Sequence, residues 1–157
     1  MFARPASGGR EGLSGIPAFD PLKRGAVDIR ADMAATSFAV SEHRSTYSYD
    51  PVTGTYGKIE DGATMTDASR GKPDQLFMVL VLHTREFLVP DIQSGCCARG
   101  RDFDLDSGGA LDIYYRGQQA AGTWSAADRS SPLVFKNSGG NEINLPDGLV
   151  WVDVVGN

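Results

Sequence analysis

Leu76-Phe77-Met78-Val79-Leu80-Val81-Leu82 is the longest apolar stretch of the chain, and its reading decides the fold. It is far short of the roughly 18 apolar residues that a membrane-spanning helix needs. It shows no polar/apolar alternation, so it predicts a strand covered on both faces. The strand is expected over Gln75 to Leu82, continuing through Val89 after an interruption at His83-Thr84-Arg85-Glu86.

Working outward, short β-branched or aromatic runs alternate with turn residues every 8 to 12 residues or so, the mark of a mainly antiparallel β domain. Upstream, Ser45 to Asp50 and Thr55 to Ile59 flank Asp50-Pro51-Val52-Thr53-Gly54, which reads as a hairpin turn because proline presets φ and glycine tolerates φ > 0. Downstream, Leu111 to Tyr115 and Gln118 to Gly122 flank Arg116-Gly117 as a second tight hairpin. Leu133 to Phe135, Glu142 to Leu145 and Leu149 to Val155 complete the expected strands, the last nearly all apolar and therefore central or covered on both faces. Residues 1–35, rich in Gly, Pro, Arg and Ala, read as a flexible flank or the remnant of an N-terminal domain, with at most one short helix around Val27 to Ala35. The fold expected is mainly β, with about nine or ten short strands in a sandwich-like or strongly twisted antiparallel sheet over residues 36–157.

Composition agrees with this and narrows the function. The 157 residues suit one domain, and 19 Gly with 8 Pro imply frequent turns. The formal charge of −5 lacks the basic face that nucleic acid requires, so no nucleic-acid partner is expected. No export signal is legible at the N-terminus. Cys96 and Cys97 are adjacent, with Cα atoms about 3.8 Å apart against the roughly 4.4 to 6.8 Å of ordinary disulfides. They read as two loop thiols, or else a strained vicinal disulfide. Neither they nor the two histidines make a metal motif, and no metal or cofactor is expected.

Several clusters invite chemistry. Asp102, Asp104 and Asp106 alternate like the start of a calcium loop, but the sixth and twelfth positions are Ser107 and Ile113 instead of the required glycine and glutamate. Their alternation with Phe103 and Leu105 describes a strand with one wet face. His83, at the end of the apolar strand, could meet Asp91 or Glu86 as a general base, yet no catalytic motif completes it. His43, among charged neighbours, is a weaker candidate. Tyr47 and Tyr49 share a strand face, Tyr56 lies across their hairpin, and Trp124 stands two residues beyond Gly122. Tyr49, Tyr56 and Trp124, with His83, are therefore candidate ligand-binding residues for a sugar ring or peptide. Ordinary cross-strand aromatic packing is the competing explanation.

Tyr49-Asp50-Pro51-Val52-Thr53-Gly54-Thr55-Tyr56 is followed by Asp61-Gly62, Thr66-Asp67, the apolar strand, Arg116-Gly117, Gly122-Thr123-Trp124-Ser125, Pro132-Leu133-Val134-Phe135 and Leu145-Pro146-Asp147-Gly148-Leu149-Val150-Trp151-Val152. In order and spacing this series resembles the C-terminal domain of the YerB-like lipoprotein family over about residues 36–157. The resemblance implies an extracytoplasmic or cell-envelope protein of unestablished role, usually an α/β domain followed by this β-rich one. Thirty-five preceding residues are too few for that first domain, and no lipid-anchoring segment is visible, so the chain is expected to be a fragment or a trimmed relative. The family supplies no catalytic residues to transfer. The expected function is a non-enzymatic accessory or binding domain that meets a protein, peptide or glycan at the envelope. The rivals are a hydrolase of a cell-wall polymer using carboxylates and His83, and a purely structural support for a neighbouring domain.

Overall fold

The computed structural model describes residues 23–89, 100–128 and 130–157. Cys96, Cys97 and Asp91 lie outside these residues.

The strands are β1 (Met33–Ala34), β2 (Ser37–Val40), β3 (Ser45–Asp50), β4 (Thr55–Glu60), β5 (Ala63–Thr64), β6 (Thr66–Asp67), β7 (Lys72–Pro73), β8 (Leu76–Thr84), β9 (Glu86–Val89), β10 (Gly100–Phe103), β11 (Gly108–Tyr115), β12 (Gln118–Ser125), β13 (Val134–Asn137) and β14 (Leu149–Gly156). Ten of them form one sheet that curls strongly, while β9–β10 and β6–β7 are separate pairs. The expected mainly β, antiparallel, twisted sheet is what the chain builds.

The apolar strand β8 pairs antiparallel with β11 and parallel with β14, and its first residue also pairs with Tyr56 of β4. Met78 to Leu82 are all buried, because both faces of β8 are covered. On one face Met78, Leu80 and Leu82 meet Leu111, Ile113, Trp124, Phe135, Ile143 and Leu145. On the other, Val79 and Val81 meet Tyr47, Tyr56, Tyr114 and Val155. Leu76 belongs to this second cluster although it shares the parity of Met78. The register against β14 slips between Leu149 and Val150, so Phe77 is the extra residue of a bulge that reverses the facing of the strand.

Both expected hairpins form. Asp50 closes the first by accepting the Val52 N–H at 2.9 Å, with Gly54 at φ 71°. Arg116 and Gly117, at φ 50° and 75°, give the second the two left-handed residues of a type I′ turn, whose twist matches the flanking strands.

Four expectations need correction, while the short helix allowed at most around Val27 to Ala35 does not form. The backbone there bonds to β12 and the turn before it instead, Asp32 donating its N–H to Gln119 and Ala35 to Gly117, while Val27 and Ile29 pack on the core with the period of a strand. Glu142 to Leu145 is not a strand; it makes single bridges to Lys136 and Arg24, although Ile143 and Leu145 are buried. β8 does not continue to Val89, since the chain leaves the sheet at Arg85 and Glu86–Val89 pairs only with β10. The aspartate alternation is a strand only as far as Phe103; Asp104 then accepts the Asp106 N–H in a turn, and Leu105 is exposed. The apolar β14 is also less central than its composition implies. It pairs with β8 alone, and Leu149 and Val152 are exposed.

Candidate functional site

The bulge at Phe77 fixes which residues of β8 face the second cluster, and His83 is the last of that series. On the neighbouring strand, Leu111 and Ile113 point to the opposite core, so Asp112 and Tyr114 share the face of His83. His83 Nε2 lies 2.9 Å from Asp112 Oδ2, and both side chains are about one-third exposed, 32% and 31%. A carboxylate oxygen only accepts, so Nε2 carries the hydrogen of this bond. Gln119 Nε2 donates to the second oxygen of Asp112 at 3.3 Å.

The backbone behind this pair is tightly held. Trp124 reaches from the opposite face to donate its indole N–H to the His83 carbonyl at 3.0 Å. A Cβ on Gly109 would lie 2.0 Å from that carbonyl oxygen, so β11 passes here only without a side chain.

His83, Asp112, Tyr114 and Val81 form the floor of an open cleft of about 280 Å³. Ala39, Val40, Ser41 and Glu42 border it on one side, and Val155 and Gly156 on another. Among the described residues no lysine or arginine lines it. Glu42 is oriented by the Gly156 N–H at 2.9 Å and faces Arg101 at 3.8 Å. The Tyr114 phenol is pushed up to about 12, chiefly by burial and then by the Asp112 charge, so it stays a neutral hydroxyl. Phe38 stacks on Tyr114 at 3.5 Å between centroids and fixes the ring.

A second polar cluster sits beside the cleft, under β3. Tyr47 donates to Asp153 Oδ2 at 2.6 Å and Trp151 Nε1 to Oδ1 at 2.9 Å, which satisfies both oxygens of a buried carboxylate. Burial first, and that hydrogen bond next, hold the Tyr47 phenol far above its ordinary range. Lys58, itself buried, pairs with Glu60 and lies 4.0 Å over the Trp151 ring. Every group here is occupied by another of the same chain, as befits a structural network.

The four residues singled out from sequence are not gathered into one surface. Tyr49 and Tyr56 are neighbours, with ring centroids 5.2 Å apart, but Tyr56 is wholly buried and bonds to the Ala35 carbonyl at 3.2 Å. Trp124 is buried in the other cluster and meets His83 through the latter's carbonyl. An exposed platform of Tyr49, Tyr56 and Trp124 is therefore absent, because the curl of the sheet encloses two of the three rings. The expected partner Glu86 pairs with Arg101 at 3.0 Å, and His83 pairs with Asp112. Asp112, Tyr114 and Glu42 were not anticipated as site residues. The alternation in Leu111-Asp112-Ile113-Tyr114 did carry a signal, since it sets Asp112 and Tyr114 on one face.

Among the described residues no helix is long and apolar enough to cross a membrane, which says nothing of strands. None of the curated proteins matches the chain. The crystal structure of the YerB protein from Bacillus subtilis superposes with a TM-score of 0.59 at 24% identity, over 72% of this chain and 36% of that one. The chain thus spans little more than a third of that protein, and the likeness shows a shared fold. Residues 34–152 match the family described as "Protein of unknown function (DUF3048) C-terminal domain". The chain belongs to the family of DUF3048 C-terminal domains.

Proposed function

We propose that this is a non-enzymatic binding domain of a bacterial cell-envelope protein, and that its protein, peptide or glycan ligand occupies the His83–Asp112 cleft. The observation that carries the reading is the one-third-exposed His83–Asp112 pair on the floor of a cleft that, among the described residues, bears two carboxylates, a neutral phenol and no lysine or arginine. Its groups are held by neighbours in fixed orientations, which lowers the ordering cost of recognition. For hydrolysis a second carboxylate would have to flank the reacting bond, and Glu42 is instead tied to the Gly156 N–H. The envelope location rests on the YerB-like resemblance.

The test is a titration of ¹⁵N-labelled protein with chitotetraose, a muropeptide and tri-lysine, with each ligand recovered and weighed by mass spectrometry. Binding predicts intact ligand and shifts confined to the cleft residues, the shifts being lost in Asp112→Ala. Cleavage by wild type that disappears in His83→Ala would make the domain a hydrolase instead. Fractionation of cells producing the natural full-length protein tests location, and recovery in the cytoplasm would refute it.

A further inference from the structure

We infer that the cleft takes an extended, lysine- or arginine-bearing peptide, which adds as a strand to the free edge of β2. The inference rests on the binding reading above and names its ligand class and mode.

β2 ends the strand order of the large sheet. The Tyr49 N–H donates to the Thr36 carbonyl, which sets the hydrogen-bonding phase of the β2–β3 ladder. Phe38 and Val40 turn their backbone groups to β3, and Ser37 and Ala39 turn theirs outward. Both outward residues are exposed, and among the described residues no strand pairs with that side. The open edge of β14 is treated differently. On β14, His43 Nε2 lies 2.7 Å from the Val154 carbonyl and Glu42 accepts the Gly156 N–H. Ser-Phe-Ala-Val has neither the lysine nor the proline with which edges are commonly blunted.

Ala39 and Val40 also border the cleft, so the free edge opens onto its floor. A strand added there lies about 4.8 Å from β2. Its residues opposite Phe38 and Val40 point the way those side chains do, toward the face that carries Tyr114, Asp112 and His83. Its intervening residues point to solvent. One inward side chain therefore meets an aromatic ring, fixed by stacking, and two carboxylates, Asp112, held by His83 and Gln119, and Glu42, held by the Gly156 N–H with Arg101 3.8 Å away. An aliphatic stem ending in a cation complements both features. Backbone hydrogen bonds then supply affinity and the inward position supplies selectivity.

The probes are a capped hexapeptide of alternating valine and lysine, its glutamate counterpart, and a copy N-methylated at alternate backbone nitrogens, each titrated by NMR alongside chitotetraose. Strand addition predicts that the lysine peptide shifts the Ser37, Ala39 and His83 amides, and that the glutamate peptide does not. N-methylation on the bonding side is expected to weaken binding about tenfold, as loss of one or two hydrogen bonds implies. Ala39→Pro, which removes an outward N–H without touching the β3 ladder, is expected to do the same. Equal binding by the N-methylated copy overturns the strand mode. Shifts with chitotetraose and none with the lysine peptide overturn the peptide and leave the binding reading standing. No cleft shifts with any probe at millimolar concentration overturn both.

Discussion

Gly109→Ala is the sharpest probe of how the site is held. The new Cβ would stand 2.0 Å from the His83 carbonyl oxygen and 3.0 Å from Trp124 Nε1. Carbon and oxygen rest at about 3.3 to 3.6 Å. β11 must therefore back away from β8 by more than an ångström, and both contacts are with groups that cannot swing aside. Overpacking of this kind costs about 1 to 3 kcal/mol. Separating Trp124 from the His83 carbonyl also strands a buried indole N–H, a further loss of about 1 to 3 kcal/mol. The expected destabilisation is about 3 kcal/mol, read as a fall in the urea midpoint at constant slope. Asp112 is three residues along the same strand, so the His83–Asp112 contact should lengthen and the imidazole resonances shift. Gly57→Ala is the matched control. It sits in β4 with nothing within 4 Å of the added Cβ and no positive φ, and is expected to be neutral or to stabilise by up to about 1 kcal/mol. If Gly109→Ala and Gly57→Ala unfold at the same urea concentration, the close passage of β11 over the His83 carbonyl is not as described.

Two further predictions concern the second cluster. Tyr47→Phe removes the 2.6 Å hydrogen bond to buried Asp153 and should cost about 1 to 3 kcal/mol by urea unfolding; adding Asp153→Asn should cost less than the sum, and strict additivity would refute the coupling. Folding raises the pKa of Tyr56 and Tyr114 from 10.0 to about 12, mainly through burial, so the folded chain keeps protons that the unfolded chain releases. Stability is whole below about pH 10 and falls as pH climbs through about 12, by up to about 1.4 kcal/mol per pH unit for each ring. Tyr114→Phe should flatten that decline, and an identical slope in the variant would remove Tyr114 from the account.

What was legible in the sequence was local. Seven apolar residues announced the buried strand, and Asp50-Pro51 with Gly54, and Arg116-Gly117, announced hairpins, because turn chemistry acts over a few residues. The facing of β8 was not legible, since a bulge arises only against the register of β14, and no residue between Leu76 and Met78 advertises it. The site suffered for the same reason. His83 was visible as a polar group ending an apolar run, whereas its partner Asp112 is supplied by a strand whose pairing is a tertiary fact. The aromatic rings admitted two readings, a platform or cross-strand packing, because exposure depends on the curl of the sheet. Tyr56 and Trp124 follow the packing reading and close the two halves of the core.

The parallel pairing of β14 with β8 sets a timetable for synthesis. β8 is made midway along the chain, but the strand that joins Leu149 to Leu76 and carries Val155 and Gly156 to the cleft emerges last among the described elements. A pairing of such sequence separation closes a long loop and forms slowly. During translation the two hairpins can form while one side of β8 still waits, bare, for its neighbour. The cleft lacks its Val155 and Gly156 border until that strand is laid down, so the cleft is completed and the bare side of the most apolar strand is covered in the same step.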